Sequence, residues 1–280
     1  MDSEYINGLK LKEMFLAAAQ SLEANKQVIN ALNVFPVTDG DTGTNMSLTM
    51  MAAVKEIQNM DGNTVAKVAG AASKGALKGA RGNSGVILSQ IFRGFAKALE
   101  GAEKISTREC ADALQEASKT AYKAVMKPVE GTMLTVSRVT GEEATKLSRR
   151  HKDFISFADA IIRVAKETLD KTPDMLPPLK EAGVVDSGGM GILYILIGAA
   201  EALKGTFDPD SLPMIEDVGL DIEAGTPVDT DIKYGYCTEF FIKNLFPYVV
   251  EEDIDKLKSR FENLGDSIVV VGDRGSPFTI

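Results

Sequence analysis

Apolar side chains recur at helical spacing through the first 200 residues of this chain, and this pattern restricts its fold more than any other feature. Between Leu11 and Leu32 they fall at steps of three, four or seven, which places them on one stripe of a helix. The alternating β-branched residues that are typical of strands are almost absent before residue 205, where Ala, Leu, Lys, Glu and Met dominate. These residues therefore predict an all-α fold.

About eight helices follow from this pattern. The first ends near Asn33, and Ser106 with Glu109 has the spacing of a capping box at the start of a later one. The other predicted helices lie at about 46–57, 64–80, 86–99, 107–126, 132–149, 154–170 and 188–204. If neighbouring helices run antiparallel, the loops between them gather at one end of the bundle.

The composition changes after residue 205. Between Phe207 and Asp231 there are eight acidic side chains and no basic one, which is typical of a solvated connector. Beyond it, YGYCTEFFI predicts a strand, VEEDIDKLKSRFENLG a helix and DSIVVVGD a second strand. We therefore expect one domain over residues 1–205, an acidic linker over 206–231, and the incomplete start of an α/β domain over 232–280.

Charge and the rare residue types exclude several classes of protein. With 40 acidic against 31 basic side chains, the net charge of -9 disfavours nucleic acid as a partner. One histidine, His151, and two separated cysteines, Cys110 and Cys237, disfavour a zinc site, a disulfide framework and a His-centred triad. No signal peptide opens the chain, and its longest apolar stretch, 187–200, is shorter than the roughly 20 residues of a membrane span. A cytoplasmic protein without a transmembrane segment is expected.

Two carboxylates flank a glycine in NVFPVTDGDTGTN, between two predicted helices. Asp39 and Asp41 can turn to one side of this tight loop and share a hard divalent cation, for which magnesium is the natural occupant. Residues 42–45 enter a helix, where free amides, hydroxyls and the helix dipole favour a phosphate. A surface turn with a helix cap explains the same residue types, and for the acidic pair taken alone it is the favoured interpretation.

Three further loops precede predicted helices. Gly79–Gly85 and Val185–Gly189 present amides and hydroxyls to an anion, although neither fits the P-loop pattern, and each alone is explained by a turn or a cap. At the third, Met133 and Leu134 suit an apolar slot for a purine, or simply the core. The combination of such loops in one helix-rich chain favours a phosphate site over independent turns.

Four segments resemble one known family. NVFPVTDGDTGTNM, GARGNSGVILSQ, KPVEGTMLTV and GVVDSGGMG are similar, in the same order, to the nucleotide-binding motifs of the dihydroxyacetone kinase L-domain family. They most closely resemble its branch of ATP-binding subunits of bacterial fatty acid kinase. The resemblance covers about residues 5–205 and continues through YGYCTEF. It implies a barrel of eight antiparallel helices, so the expected fold is mainly α, followed by a partial α/β segment.

The resemblance also implies roles for individual residues. Asp39 and Asp41 are expected to hold magnesium, as two ions that bridge the phosphates of ATP, and to act in catalysis. Arg81 is expected to act with them because of its position inside the second loop rather than because of the resemblance, although a solvated helix face explains it about as well. Asn33 stands near the place of a third aspartate in the sugar-kinase branch, where it either ligates the metal through its carbonyl oxygen or only caps the first helix. The residues expected to bind the nucleotide are Thr42, Gly43, Thr44, Asn45, Asn83, Ser84, Gly85, Thr132, Met133, Asp186, Ser187 and Gly188.

For the activity, the resemblance implies transfer of phosphate from ATP to a fatty-acid carboxylate, which a separate lipid-binding protein presents, to give an acyl phosphate. The alternatives are a protein that relays phosphate to dihydroxyacetone and a non-catalytic nucleotide-binding module. Members of this branch continue past the middle domain, so we expect the chain to stop inside it. They also carry a histidine pair after the cysteine that corresponds to Cys237, and its absence here argues against a zinc site. The large apolar faces of the predicted helices are compatible with a homodimer.

Overall fold

A computed structural model describes residues 4–207, 241–242, 246, 251–261, 268–271 and 278–279. Its helices are α1 (Gly8–Ala24), α2 (Lys26–Ala31), α3 (Thr42–Gln58), α4 (Val65–Lys78), α5 (Gly82–Ala98), α6 (Thr107–Ala124), α7 (Met133–Arg150), α8 (Phe154–Leu169), α9 (Thr172–Met175), α10 (Pro177–Ala182), α11 (Ser187–Lys204) and α12 (Glu251–Phe261). Its strands are β1 (Tyr5–Asn7), β2 (Lys104–Ser106), β3 (Phe241–Ile242) and β4 (Phe278–Thr279). The expected mainly α fold is confirmed.

Eight long helices within residues 4–207 form a closed ring. In chain order α1, α3, α4, α5, α6, α7, α8 and α11 each pack on the next, and α11 closes the ring against α1. Loops or short helices join consecutive members, so neighbours run antiparallel. The eight helices predicted from periodicity are these eight, and the capping box of Ser106 and Glu109 is present at the start of α6.

The ring closes on apolar side chains. Its fully buried members include Leu22, Met46, Met50, Leu88 and Leu134. An apolar cavity of ≈ 160 Å³ remains between α1, α5, α8 and α11. Because burial of an unpaired charge in an apolar cavity is costly, we expect a charged ligand to bind at an end of the barrel.

Three local features differ from the prediction. The first helix does not continue to Asn33, because the Asn25 side chain donates to Ser21 O at 2.8 Å and the chain leaves helical geometry there before α2 begins. The short helices α9 and α10, which were not predicted, connect α8 to α11. A two-stranded antiparallel sheet of β1 and β2 lies outside the ring, and its three-residue strands are too short to show a periodicity.

Part of the chain after the ring packs against it. Val269 forms an isolated antiparallel bridge with Val125, directly after α6. Val269 and Val271 are buried with Leu77, Ala80, Val86 and Ala124 on the ends of α4, α5 and α6. The helix α12 and the strand β3 lie within the helix and strand predicted there. The second predicted strand is not present in its described residues, 268–271, which form isolated bridges, and the strand that pairs with β3 is β4, which was not predicted. Cys237 and residues 208–231 of the predicted linker lie outside the described residues.

Within the residues that the structure describes, no helix is long and apolar enough to span a membrane.

Candidate functional site

The acidic turn lies between α2 and α3. Gly40 adopts φ of +67°, a left-handed conformation that favours glycine, and it separates an exposed Asp39 from a half-buried Asp41. The two carboxyl groups hydrogen-bond to each other. Asn33 is buried and donates its side-chain N–H to Asp39 Oδ1, so it contacts the acidic pair.

The electrostatics of this pair suit a cation. Burial, and next the negative charge of Asp39, raise the pKa of Asp41 to about 6. Asp41 occupies the N-cap position of α3, yet its side chain makes no capping hydrogen bond to the helix. The carboxylate therefore does not cap the helix backbone, although it hydrogen-bonds to the Asn45 side chain, and a bound cation would relieve its repulsion from Asp39.

The donor set fits magnesium with a phosphate ligand. Within the described residues, no three His, Cys, Asp or Glu side chains cluster closely enough to hold a metal ion by themselves. Magnesium typically uses one or two carboxylates and takes its other oxygen ligands from water and substrate phosphates. Asp39 and Asp41, with Asn33 beside them, supply that kind of partial shell.

The first turn of α3 is held by the preceding helix α2. Asn30 accepts the backbone N–H of Thr44 at 3.1 Å and donates to the Thr44 hydroxyl at 3.0 Å. Thr42 is buried, and a Cβ on Gly43 would lie 2.2 Å from the Lys26 carbonyl oxygen, so α2 and α3 approach closely here. These contacts fix the helix start that follows the acidic turn.

The second glycine loop is fixed against α3. Arg81 donates its backbone N–H to Thr49 Oγ1 at 3.2 Å, and that hydroxyl donates to Asn45 O at 2.7 Å. Gly82 has φ of +55°, and a Cβ there would lie 2.4 Å from Asn45 Nδ2. The Asn45 side chain also hydrogen-bonds to Asp41. The start of α5 is therefore joined to the acidic turn through one asparagine.

Polar groups at the start of α5 are open to a ligand. Asn83 is exposed and Ser84 is partly exposed, whereas Gly85 is buried against α3. The Arg81 guanidinium donates to the Ala80 carbonyl at 3.4 Å, and no salt bridge to it occurs among the described residues. A cationic group without an acidic partner suits an anion. In contrast, Lys74 and Lys78 both pair with Glu56, at 2.7 and 3.4 Å.

The starts of α7 and α11 meet the same end of the barrel. The Ser187 hydroxyl lies 3.3 Å from the hydroxyl of Thr42 at the start of α3. Asp186 is 5% exposed, and its carboxylate accepts the backbone N–H of Gly189 at 2.7 Å and that of Met133. Burial raises the pKa of Asp186 to about 7, although these two amides lower it.

The start of α7, which was expected to line the purine, is tightly packed in this structure. Met133 is 3% exposed, and its Sδ lies 3.0 Å from the position of a Cβ on Gly188. The Thr132 hydroxyl donates to Val129 O at 2.8 Å. The large apolar side chains that remain exposed near this loop are Val129 and Met175, which the sequence did not single out.

A hydrogen-bonded network of charged and polar side chains holds the loop before α7 in place. Arg138 donates to Glu130 at 2.8 Å and to the Tyr122 hydroxyl at 3.2 Å, and Tyr122 donates to Glu130 at 2.9 Å. The Thr135 hydroxyl donates to Glu130 at 2.7 Å and accepts the Gly131 N–H at 2.9 Å. The loop is therefore fixed without any contribution from a ligand.

Two rare residues lie away from this end. His151 follows α7, and its Nδ1 is 3.2 Å from the Ser156 hydroxyl in the first turn of α8. Cys110 packs against the core from α6, and burial raises the pKa of its thiol to about 12, which disfavours a reactive thiolate.

The structure thus brings the four motif loops to one end of the barrel. Sequence reasoning missed the residues that hold them there: Asn30, Thr49 and Thr172 are separated by 14 to 32 positions from their partners. Hydrophobic periodicity does not reveal such contacts. The available signal is weak: all three residues have short polar side chains, which lie near the ends of predicted helices or beside small residues.

Comparison with known proteins gives two family matches. Residues 36–201 match the DAK2 domain, and residues 233–277 match the FakA-like middle domain of fatty acid kinase. Protein YloV of Bacillus subtilis is 44% identical over 280 residues, which cover 98% of this chain and 50% of that protein. Uncharacterised proteins of Staphylococcus epidermidis and Staphylococcus aureus are each 42% identical over 275 residues, 96% of this chain and 49% and 50% of their own lengths. The chain spans about half the length of these relatives.

Proposed function

The chain belongs to the family defined by the DAK2 domain, and we propose that it is the ATP- and magnesium-dependent phosphotransferase subunit of a fatty acid kinase. Domains of this family bind nucleotides in general, and the second match makes the chain a kinase-related protein of the fatty acid kinase type. We propose the same division as the sequence predicts, with the nucleotide domain in residues 1–205.

The observation that carries the proposal is the convergence of four helix starts around an acidic pair. The N-termini of α3, α5, α7 and α11 meet through contacts of Thr42 with Ser187, Asn45 with Gly82, and Asp186 with Met133. Helix N-termini attract phosphates through free amides and the helix dipole. Asp39 and Asp41 at the same end supply oxygen ligands for the cation that accompanies ATP.

Together with magnesium, residues at this end of the barrel would supply the charge balance of phosphoryl transfer. Bound magnesium, expected as two ions on Asp39 and Asp41 with Asn33 beside them, would neutralise the phosphate charge. The Arg81 guanidinium would stabilise charge that develops on the transferred group. The turn 42–45, with Asn83 and Ser84, would orient the phosphates. Ser187 and Gly188 would contact the nucleotide from the start of α11. Thr132 and Met133 would contact its purine from the start of α7.

A carboxylate acceptor agrees with the absence of a histidine from this end of the described structure. A fatty acid is already ionised at neutral pH, so its oxygen attacks without a general base, and the product is an acyl phosphate with ADP. We propose that a separate lipid-binding protein presents the acid, which the match to the FakA-like middle domain supports. Dependence on ATP makes the cytoplasm the proposed compartment of the reaction.

The experiment is acyl phosphate formation, trapped as the hydroxamate, with a fatty-acid-loaded partner protein, ATP and magnesium. We expect product from the parent protein and from Asp61→Asn, an exposed acid before α4 that serves as the matched control, and none from Asp41→Asn. Phosphate transfer to dihydroxyacetone instead would establish the sugar-kinase alternative. ATP binding without transfer to either acceptor would leave a non-catalytic nucleotide-binding module.

A further inference from the structure

Asp186 is a buried carboxylate that serves two helices at once. Its Oδ2 accepts the N–H of Gly189 in the first turn of α11, at 2.7 Å, and the N–H of Met133 at the start of α7 hydrogen-bonds to the same carboxyl group. An ordinary N-cap satisfies amides of its own helix only. Asp186 therefore joins two helix starts that belong to different motifs of the sequence.

The position of Asp186 is fixed from a third direction. Its backbone N–H donates to Thr172 Oγ1 at 3.0 Å, and the Thr172 hydroxyl donates to Leu169 O at 2.7 Å at the end of α8. Thr172 is completely buried. The backbone of Asp186 is thus held by the α8–α9 connection, independently of the two helix starts that its carboxylate bonds.

The two helix starts leave little space for adjustment. A Cβ on Gly188 would lie 3.0 Å from the Met133 side chain, and one on Gly189 would lie 2.9 Å from Val136. The Ser187 hydroxyl, next to Asp186, contacts Thr42 at 3.3 Å. A shift of α11 relative to α7 would therefore also move the residues that adjoin the acidic turn.

We propose that Asp186 is a positioning residue, which sets the spacing between the starts of α7 and α11 so that both contribute to one nucleotide site. Thr132 and Met133 lie at the start of α7, and Ser187 and Gly188 lie at the start of α11. In this proposal Asp186 acts through protein amides, in place of the direct nucleotide contact that the sequence analysis expected of it. The inference rests on the proposed function for the identity of the ligand, ATP with magnesium.

The test compares Asp186→Ser and Asp186→Asn with Asp153→Ser. Serine is too short to reach both amides, whereas asparagine keeps a carbonyl oxygen that can accept one of them. Asp153 is a matched control, because it caps α8 through the Ser156 N–H at 2.9 Å and lies where α7 ends, away from the motif loops. ATP affinity is measured by calorimetry with magnesium, below the melting temperature of every variant.

We expect Asp186→Ser to weaken ATP binding by about tenfold or more, as removal of an orienting partner commonly does. Asp186→Asn should recover part of that loss, and the KM for ATP should rise more than kcat falls. Asp153→Ser keeps a capping hydroxyl at the start of α8, so it should leave the melting temperature close to that of the parent protein and ATP affinity within about twofold. Equal affinity of Asp186→Ser and the parent protein would overturn the positioning role alone. Absence of ATP binding by the parent protein would overturn the proposed function and this inference with it.

Discussion

Replacement of Asp41 by asparagine should stabilise the ligand-free protein while it removes the cation site. Burial and the neighbouring Asp39 raise the pKa of Asp41 from 3.8 to about 6. A carboxyl group whose pKa is higher in the folded state stabilises the fold when it is protonated, and that stabilisation is lost as the pH rises through the interval from 3.8 to about 6. At neutral pH the parent protein therefore carries a destabilising charge.

The size of this effect follows from the shift in pKa. If the whole shift in the pKa of Asp41 contributed to stability, it would change the free energy of unfolding by about 3 kcal/mol, at 1.36 kcal/mol per pKa unit. Asp41 is only half-buried, so screening by solvent reduces this to about 1–2 kcal/mol. For a domain of this size, such a gain raises the melting temperature by about 2–8 °C.

The assay is thermal unfolding at pH 7.5 and pH 4.5, with and without ATP and magnesium. We expect Asp41→Asn to melt above the parent protein at pH 7.5 and close to it at pH 4.5, where the parent's Asp41 is protonated. Ligand should raise the melting temperature of the parent but not of the variant. Asp61→Asn, the same change at an exposed acid, should behave as the parent. A lower melting temperature for ligand-free Asp41→Asn at pH 7.5 would refute the electrostatic reasoning.

Three further outcomes follow from the same geometry. Arg81→Ala should reduce phosphoryl transfer by about 10²-fold or more in a steady-state assay, with almost no change in melting temperature, because its guanidinium bonds only the Ala80 carbonyl among the described residues. Gly82→Ala should weaken ATP binding by about tenfold in a titration, because φ is +55° and the new Cβ meets Asn45. Val271→Ser should speed amide hydrogen exchange in residues 77–86, against which that buried side chain packs. An unchanged transfer rate, ATP affinity or exchange rate would contradict the role given to Arg81, Gly82 or Val271, respectively.

The ring of helices was predictable because each long helix carries its own apolar stripe. The segment from Val86 to Leu99 shows the pattern that α5 buries against α4 and α6, and the spacing of Ser106 and Glu109 specifies the start of α6. Such signals are local in sequence. The break at Asn25 was not predictable from them, since apolar periodicity continues into α2 while one side-chain hydrogen bond to Ser21 ends α1.

The candidate site was predictable in its loops and not in its connections. Asp39, Asp41 and Arg81 are marked by residue types that binding of cations and phosphates requires. The contacts that bring their loops together depend on tertiary structure: Thr49 reaches Arg81 across 32 positions, and Asp186 reaches back to the start of α7. A hydroxyl or carboxylate with a distant backbone partner leaves no pattern in one sequence.

The central claim is that the acidic turn and the converging helix starts form a magnesium-dependent ATP site. The most direct measurement is a calorimetric titration of ATP into this chain, with and without magnesium, beside an Asp39→Asn/Asp41→Asn double variant shown to be folded by its thermal transition. We predict binding that requires magnesium in the parent protein and is lost in the double variant. Equal binding by the two proteins, or no binding by either, would contradict the claim.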